Sequence, residues 1–467
     1  MRQSYKNLIN DTAVFAVGNM LTKAIQFFLL PMYTALLSAE QYGIGELVNN
    51  LSELLYPLCC IGIYEGVFRF SLDRDVDRKE VFSTGILIAL GLIPVVIAAG
   101  VVGFSFSGFD YTWSLVVLCL ASSLKMLCLQ FAKGIGKTTL YASSGIVGAL
   151  VLCGAGFLLL GAWNMGVVGY LFALILAQLV QLLITACGSR IWRYFSFASI
   201  SREMAVKLVR YSLPMIPNAL AWWFVNLSGR YIVLLSQGAA AAGLYTAASK
   251  LPSVMVMLVT IFQQAWQIFS AREFSSSDRS ESFETVFRVY TTCLLCSGSL
   301  VIAFSEPLSR LMLSGEFYEA WVLVPPLMLG AVINGYSSYF GTLYNAAKRN
   351  GMIFVTTIIG ATLNIVVGIA LSFAVGAWGP VIGSVIAYST ISLTRAIDTK
   401  KLINFRCDIP YQSIGISVLA IETVVLAANL SLATPLAMLC FAFLLAFSVV
   451  RNRSIVVKVI SLLGGKA

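Results

Sequence analysis

Ionisable side chains embedded in long apolar stretches are the residues of this sequence best placed to act on a charged ligand. Lys23, Glu46, Glu53, Glu65, Arg69, Lys125, Arg230 and Lys250 form that set. A charge at the centre of a membrane helix costs roughly 2.5–3.5 kcal/mol on insertion scales, so such residues normally face a cavity or a partner. Arg230 and Lys250 fall on consecutive predicted helices, each about 9–11 Å from the outer end at the helical rise. No acidic residue accompanies them on either helix. Two like charges at one depth suit an anion, supplied by Glu46 or by a phosphate of the substrate. Lys23 lies about 17 Å above the cytoplasmic start of its helix, and Glu53 about 15 Å below the outer end of the next. Near the midplane, these two either neutralise each other or touch substrate. Glu53 and Glu65 are also the candidates for coupling to a proton or sodium gradient, while Arg69 and Lys125 offer cations toward the cytoplasmic side.

These charges sit on polar stripes with helical spacing. Asn19, Lys23 and Gln26 share one face; Glu46, Asn50, Glu53, Pro57, Cys60 and Tyr64 recur at intervals of four and three. Lys250, Ser253, Met257, Thr260, Gln264 and Gln267 form a third stripe, and Asn334, Ser338, Gly341 and Asn345 a fourth. Such stripes either line a cavity or glue helices together.

The elements that must carry them are membrane spans. Of 467 residues, 59% are hydrophobic and 11% charged, where a soluble domain carries about 25% charged. Apolar runs of about 20 residues, enough to cross a hydrocarbon core, recur throughout. Fourteen windows are predicted, from 12–37 to 433–450, among them 43–69, 81–104 and 243–270. The first is too long for the apolar region of a cleavable signal and reads as a permanent helix. With an even number of spans, 26 of the 31 Lys and Arg fall on one face with their adjacent loops. The positive-inside rule makes that face cytoplasmic and puts both termini there. The net charge of +10 is thereby topological, with anionic lipid rather than nucleic acid as its partner.

An internal repeat divides the chain. Ala132-Lys133, Gly136 and Gly145 return as Ala347-Lys348, Gly351 and Gly360, and Trp163 as Trp378, at an offset of 215. Tyr33 with Leu36-Leu37-Ser38 aligns with Tyr231 and Leu234-Leu235-Ser236. Each unit holds six helices, so the repeats are parallel, related by an axis along the membrane normal. The expected fold is an all-α polytopic membrane protein of about 14 helices. Two six-helix lobes, 1–200 and 201–402, surround a central cavity, followed by an appended helix pair and basic tail, 403–467.

Enzymatic constellations are sparse. The chain has no histidine, which removes His-assisted triads and histidine-ligated metals. Gly134-Ile135-Gly136-Lys137-Thr138 hints at a phosphate loop, but Phe131 occupies the place of its first glycine. Cys293 and Cys296 form a CxxC inside an apolar helix and behave as small apolar residues. No catalysis, cofactor or metal is expected.

Motifs spread over the whole chain resemble the polysaccharide-transport branch of the multidrug/oligosaccharidyl-lipid/polysaccharide exporter superfamily. They are Leu30-Pro31-Met32-Tyr33, Glu40-Gln41-Tyr42-Gly43, and Gly62, Gly66 and Arg69 in the first lobe. In the second they are Leu213-Pro214-Met215-Ile216-Pro217, Arg230-Tyr231 and Gly243-Leu244-Tyr245. Gly229 departs from the pattern, standing where many relatives carry an acid before the arginine. The resemblance implies alternating-access transport of an undecaprenyl-pyrophosphate-linked oligosaccharide across a bacterial inner membrane. Glycosyltransferases or a polymerase of the same pathway would be its partners. A multidrug or organic-cation antiporter of the same superfamily is the alternative; it would favour acidic rather than cationic cavity residues. A membrane glycosyltransferase would need larger outer loops than the one around Glu306 to Glu319.

The topology is testable directly. Reporter fusions after Leu37, Ser107, Gly238 and Gly376 should report the outer side, and fusions after Arg78, Arg193 and Lys401 the inner side. Two reversals in this set would break the topology and the repeat with it.

Overall fold

The computed structural model describes residues 18–453, apart from 19, 74, 274–278, 348, 404 and 429–431. The described residues are helical, with short turns between helices and no strand among them. Eleven helices are long and apolar enough to cross a membrane, or twelve when a bent pair counts as one span. Two shorter apolar helices, Met20–Leu36 and Ser253–Gln263, adjoin undescribed residues or side chains and correspond to the first and eighth of the expected spans. By contacts, the chain divides into two compact units, Met1–Ser228 and Gly229–Ala467.

In the first unit, α1 (Met20–Leu36) leads through a capping box into α2 (Ala39–Cys59). There the Ser38 hydroxyl accepts from the Gln41 amide while the Gln41 side chain accepts from the Ser38 amide, satisfying two orphan donors at once. The second predicted span is not straight. It breaks after Cys59 and resumes as α3 (Ile63–Ser71) at an angle of 63°. Pro57 removes one ladder donor inside α2, and Ile61 and Gly62 both take left-handed φ, 50° and 59°. A β-branched residue in that region is a genuine outlier. The freed carbonyl of Tyr56 is taken over by the Cys60 thiol at 3.2 Å and, from α5, by the Ser123 hydroxyl at 3.1 Å.

The unit continues with α4 (Arg78–Ser107), α5 (Thr112–Gly134), α6 (Thr138–Ala162) and α7 (Gly166–Ser189). A short amphipathic helix, α8 (Arg202–Ser212), then leads into α9 (Met215–Lys250). The third predicted span, 81–104, is α4, kinked at Leu92 before Pro94. One core gathers Ile63, Val67, Phe82, Leu127, Phe131, Met204 and Leu208 from α3, α4, α5 and α8.

In the second unit, Gly238, at φ 88°, interrupts α9. The helix ends at Lys250, and a turn at Leu251 and Pro252 separates it from α10 (Ser253–Glu273). The predicted span 243–270 is therefore broken as well. The remaining helices are α11 (Arg279–Ala303), α12 (Ser305–Met312), α13 (Gly315–Ala346), α14 (Asn350–Val375), α15 (Trp378–Thr399), α16 (Ile409–Ala427) and α17 (Ala433–Arg451). The α16–α17 pair packs on α11 and α13 and shares their core. Tyr336 donates to Gln412, Gln412 donates to Thr291, and Tyr411 meets Thr292 and Ser448. Outside the spans, Glu306 accepts from Arg310, Tyr318 and Thr434. The Thr434 hydroxyl, followed by the Tyr318 hydroxyl and the Arg310 guanidinium, holds its carboxyl below the usual range despite partial burial.

Arg395 clamps α15 to its neighbours. Only 7% exposed, it donates through Nε to Thr356 (2.9 Å), through Nη1 to the Ser337 carbonyl (2.9 Å) and through Nη2 to Thr357 (3.0 Å). Gly341 makes room for it, since a Cβ there would lie 2.9 Å from Nη1. Replacing Arg395 by Met leaves buried hydroxyls without their donor and should cost about 2–4 kcal/mol. Lys should recover only part of this, because it lacks the planar fork. Thermal unfolding in detergent checks both, and an unchanged midpoint for Arg395→Met would show that the clamp contributes nothing.

Candidate functional site

The stripe on α2 delivers its polar groups to different places. Glu46 is 3% exposed and accepts a 2.8 Å hydrogen bond from the Tyr170 hydroxyl of α7. The rings of Tyr33, Tyr42 and Tyr170 pack around it with centroids 5.0–6.2 Å apart. Gly45 permits the approach, because a Cβ there would come within 2.6 Å of the Tyr170 ring. Glu46 is thus engaged inside the first unit, in a box of phenols. One turn further, the Asn50 carbonyl accepts from the Trp223 indole at 2.7 Å.

Glu53 is exposed and lies within electrostatic reach of Lys125 on α5. Lys23 is exposed on α1 and takes part in none of the ion pairs among the described residues. Lys125 is thus one opposite charge near Glu53, a proximity not anticipated because the two residues lie 72 positions apart, on α2 and α5. Their helices pack side by side.

Below the break, Glu65 stands in the first turn of α3, where the helix dipole favours a negative charge. It is within electrostatic reach of Lys133, whose ammonium lies 4.7 Å from the Phe68 ring centroid and 5.8 Å from that of Tyr141. Arg69 forms a 2.6 Å pair with Asp73 one turn on. Both partners are substantially exposed, so the pair contributes little to stability. In this conformation Arg69 is a surface residue with a carboxylate of its own.

In the second unit, Arg230 lies on α9 within electrostatic reach of the Tyr245 hydroxyl, and its side chain is half-buried. Gly229 has a packing reason. A Cβ there would fall 2.6 Å from the Tyr245 hydroxyl and 3.3 Å from Pro380. An acid at 229 would displace that tyrosine, so the phenol occupies the space that the side chain would need. Lys250 is half-buried at the end of α9, and its carbonyl accepts from Ser253 across the turn. Arg230 and Lys250 thus lie on the two arms of α9, on either side of the Gly238 interruption.

Two buried charged groups escape a reading by stripes. Arg395 was grouped with the cytoplasmic basic residues; the facing Thr356-Thr357 and Gly341 are the available signal. Glu422 is fully buried on α16 and accepts from Ser299 of α11. A lone carboxyl in an apolar window is signal enough, but the window belonged to the pair taken as an appendage. Among the described residues no cluster of His, Cys, Asp and Glu could hold a metal.

The polar arrangement along the spans can bind and shield charge within hydrocarbon. No curated protein sequence matches the chain. Among solved structures, a lipid II flippase, MurJ, in an inward closed conformation aligns over 95% of this chain and 100% of its own, at 12% identity and a TM-score of 0.72. An inward-facing multidrug resistance transporter of the MATE family, MOP superfamily, aligns over 86% of this chain and 95% of its own, at 14% identity and a TM-score of 0.66. A MOP superfamily transporter from Pyrococcus furiosus aligns over 88% and 96%, at 13% identity and a TM-score of 0.58. These likenesses establish a shared fold. The family model described as polysaccharide biosynthesis protein matches residues 8–267, more than half of the sequence, and the chain is a polytopic helical membrane protein belonging to that family.

Proposed function

We propose that the protein is a flippase that moves a lipid-linked oligosaccharide, carried on undecaprenyl pyrophosphate, across the bacterial cytoplasmic membrane by alternating access. Membership in the polysaccharide biosynthesis family carries this reading. The fold shared with a lipid II flippase over nearly the whole chain supports it, as does the presence of cations within the spans. Lys and Arg compensate pyrophosphate oxygens away from bulk water, whereas an organic-cation antiporter is better served by acids. Both termini are placed in the cytoplasm, with lobes 1–200 and 201–402 and the helix pair 403–467 as working divisions. Enzymes that assemble or polymerise the glycan are the natural partners. Arg230 and Lys250 are assigned to the substrate phosphates, with Lys23 as a further cation of the path. Glu53, within electrostatic reach of Lys125, and Glu65, within electrostatic reach of Lys133, are the acids for any ion coupling.

Replacing Arg230 and Lys250 together by Gln keeps donors and approximate length while removing the charge. A charge-assisted hydrogen bond is worth about 1.5–3 kcal/mol, so surface glycan export should fall at least tenfold, by the usual conversion of about 1.4 kcal/mol per decade. Insertion should be normal. Export at the wild-type rate, with equal protein in the membrane, would remove these cations from the substrate path.

The Glu53–Lys125 pair makes a separate prediction. Glu53→Lys and Lys125→Glu should each reduce export more than the charge-swapped double does. A double variant as poor as the sum of the singles would show that the two side chains act independently, and the exchange of Lys23 for Glu in the same background would then identify the partner.

A further inference from the structure

The link between α7 and α9 is a folded platform on the first unit. Arg190 turns the chain with φ 54°, and two short 3-10 turns, Ile191–Arg193 and Phe197–Ser199, precede α8. Its inner side is fastened to the helix bundle. Ser83 donates to the Tyr194 carbonyl at 3.1 Å and accepts from the Ser196 amide at 2.9 Å. The Ser201 amide donates to Thr84 at 3.3 Å, and the Gly66 amide to Ser212 at 3.1 Å. The Tyr194 ring meets Phe131 at 5.1 Å, and Met204 and Leu208 are buried. A segment held at so many points presents its outer face in one orientation.

That outer face is both aromatic and cationic. Trp192 is 59% exposed, Phe197 76% and Val206 58%, with Phe195 at 36%. Arg190, Arg193 and Arg202 are exposed among them and enter no ion pair among the described residues, whereas Lys207 is bound to Glu203 at 2.6 Å. Apolar rings exposed beside unpaired arginines, at the end of the span α7, match the chemistry of a leaflet boundary. Rings sit at the level of the headgroups, and guanidinium groups attract anionic lipid. An aqueous surface would leave these rings with nothing to cover them.

We infer that this platform is a binding surface for anionic phospholipid of the inner leaflet, with Trp192, Phe195 and Phe197 in the acyl–headgroup boundary and Arg190, Arg193 and Arg202 on the phosphates. The inference rests on the cytoplasmic placement of the link and is independent of the transported substrate. Its consequence is that headgroup charge holds the segment that feeds directly into α9.

Full-length protein in nanodiscs tests it, using brominated-chain phosphatidylglycerol or brominated phosphatidylcholine as quencher. The difference in tryptophan emission between the wild type and Trp192→Phe isolates the ring in question. Trp192 should be quenched, and more strongly by phosphatidylglycerol. The preference for phosphatidylglycerol should fall about fivefold for each arginine changed to Gln, the ratio expected for one basic residue near an anionic surface. Arg190→Gln, Arg193→Gln and Arg202→Gln are surface changes whose folding circular dichroism verifies. Quenching of Trp192 by aqueous iodide but not by brominated lipid would overturn the inference and mark the face as one for a soluble partner. An unaltered lipid preference in the triple variant would overturn it too. Should the triple variant fail to fold, the comparison of wild type with Trp192→Phe still decides whether lipid covers the ring.

Discussion

Hydrocarbon offers the backbone no hydrogen bonds, so every interruption of a spanning helix must be repaired from within the protein. That constraint governs the polar chemistry of this chain. The break between α2 and α3 exposes the Tyr56 carbonyl, and Cys60 and Ser123 both serve it. Each such bond is worth only about 0.5–1.5 kcal/mol net, but leaving the carbonyl bare would cost more. A residue as unsuited to left-handed backbone as Ile61 can hold its place because the surrounding contacts determine the turn.

Charges in the spans follow the same logic at a higher cost. Glu46 accepts from a phenol, one oxygen of Glu422 accepts from a serine hydroxyl, and Arg395 donates to hydroxyls and a carbonyl on two neighbouring helices. Glu53 and Lys125 lie within electrostatic reach of each other across α2 and α5. Which buried charges the fold itself engages is therefore visible only once their hydrogen-bond partners are known.

This explains what could be read from the residues alone. Apolar length and basic-residue placement reveal the spans, because the bilayer imposes one thickness on every helix. The described span Ala433–Arg451 begins at the predicted start 433 and ends one residue beyond the predicted end at 450. The breaks at Cys60–Gly62 and Leu251–Pro252 were not legible. A proline within a spanning helix can be absorbed without a sharp bend, and whether it is depends on neighbours such as Ser123. Stripe spacing found the polar face of α2 but could not say which helix would answer each side chain. Glu46 met Tyr170 and Glu53 met Lys125, and both pairings are set by packing between helices distant in sequence.

The phenol box around Glu46 has an evolutionary consequence. Because the ring of Tyr170 lies where a Cβ of residue 45 would be, and its hydroxyl donates to the carboxylate at 46, the three positions are physically coupled. A lineage that gained a side chain at 45 would first have to shrink residue 170. The carboxylate at 46 would then lose its donor and become a liability to be replaced. Glycine, acid and phenol are thus expected to appear or vanish together among descendants of this fold. Drift at any one of them passes through a less stable ancestor unless the others have already changed.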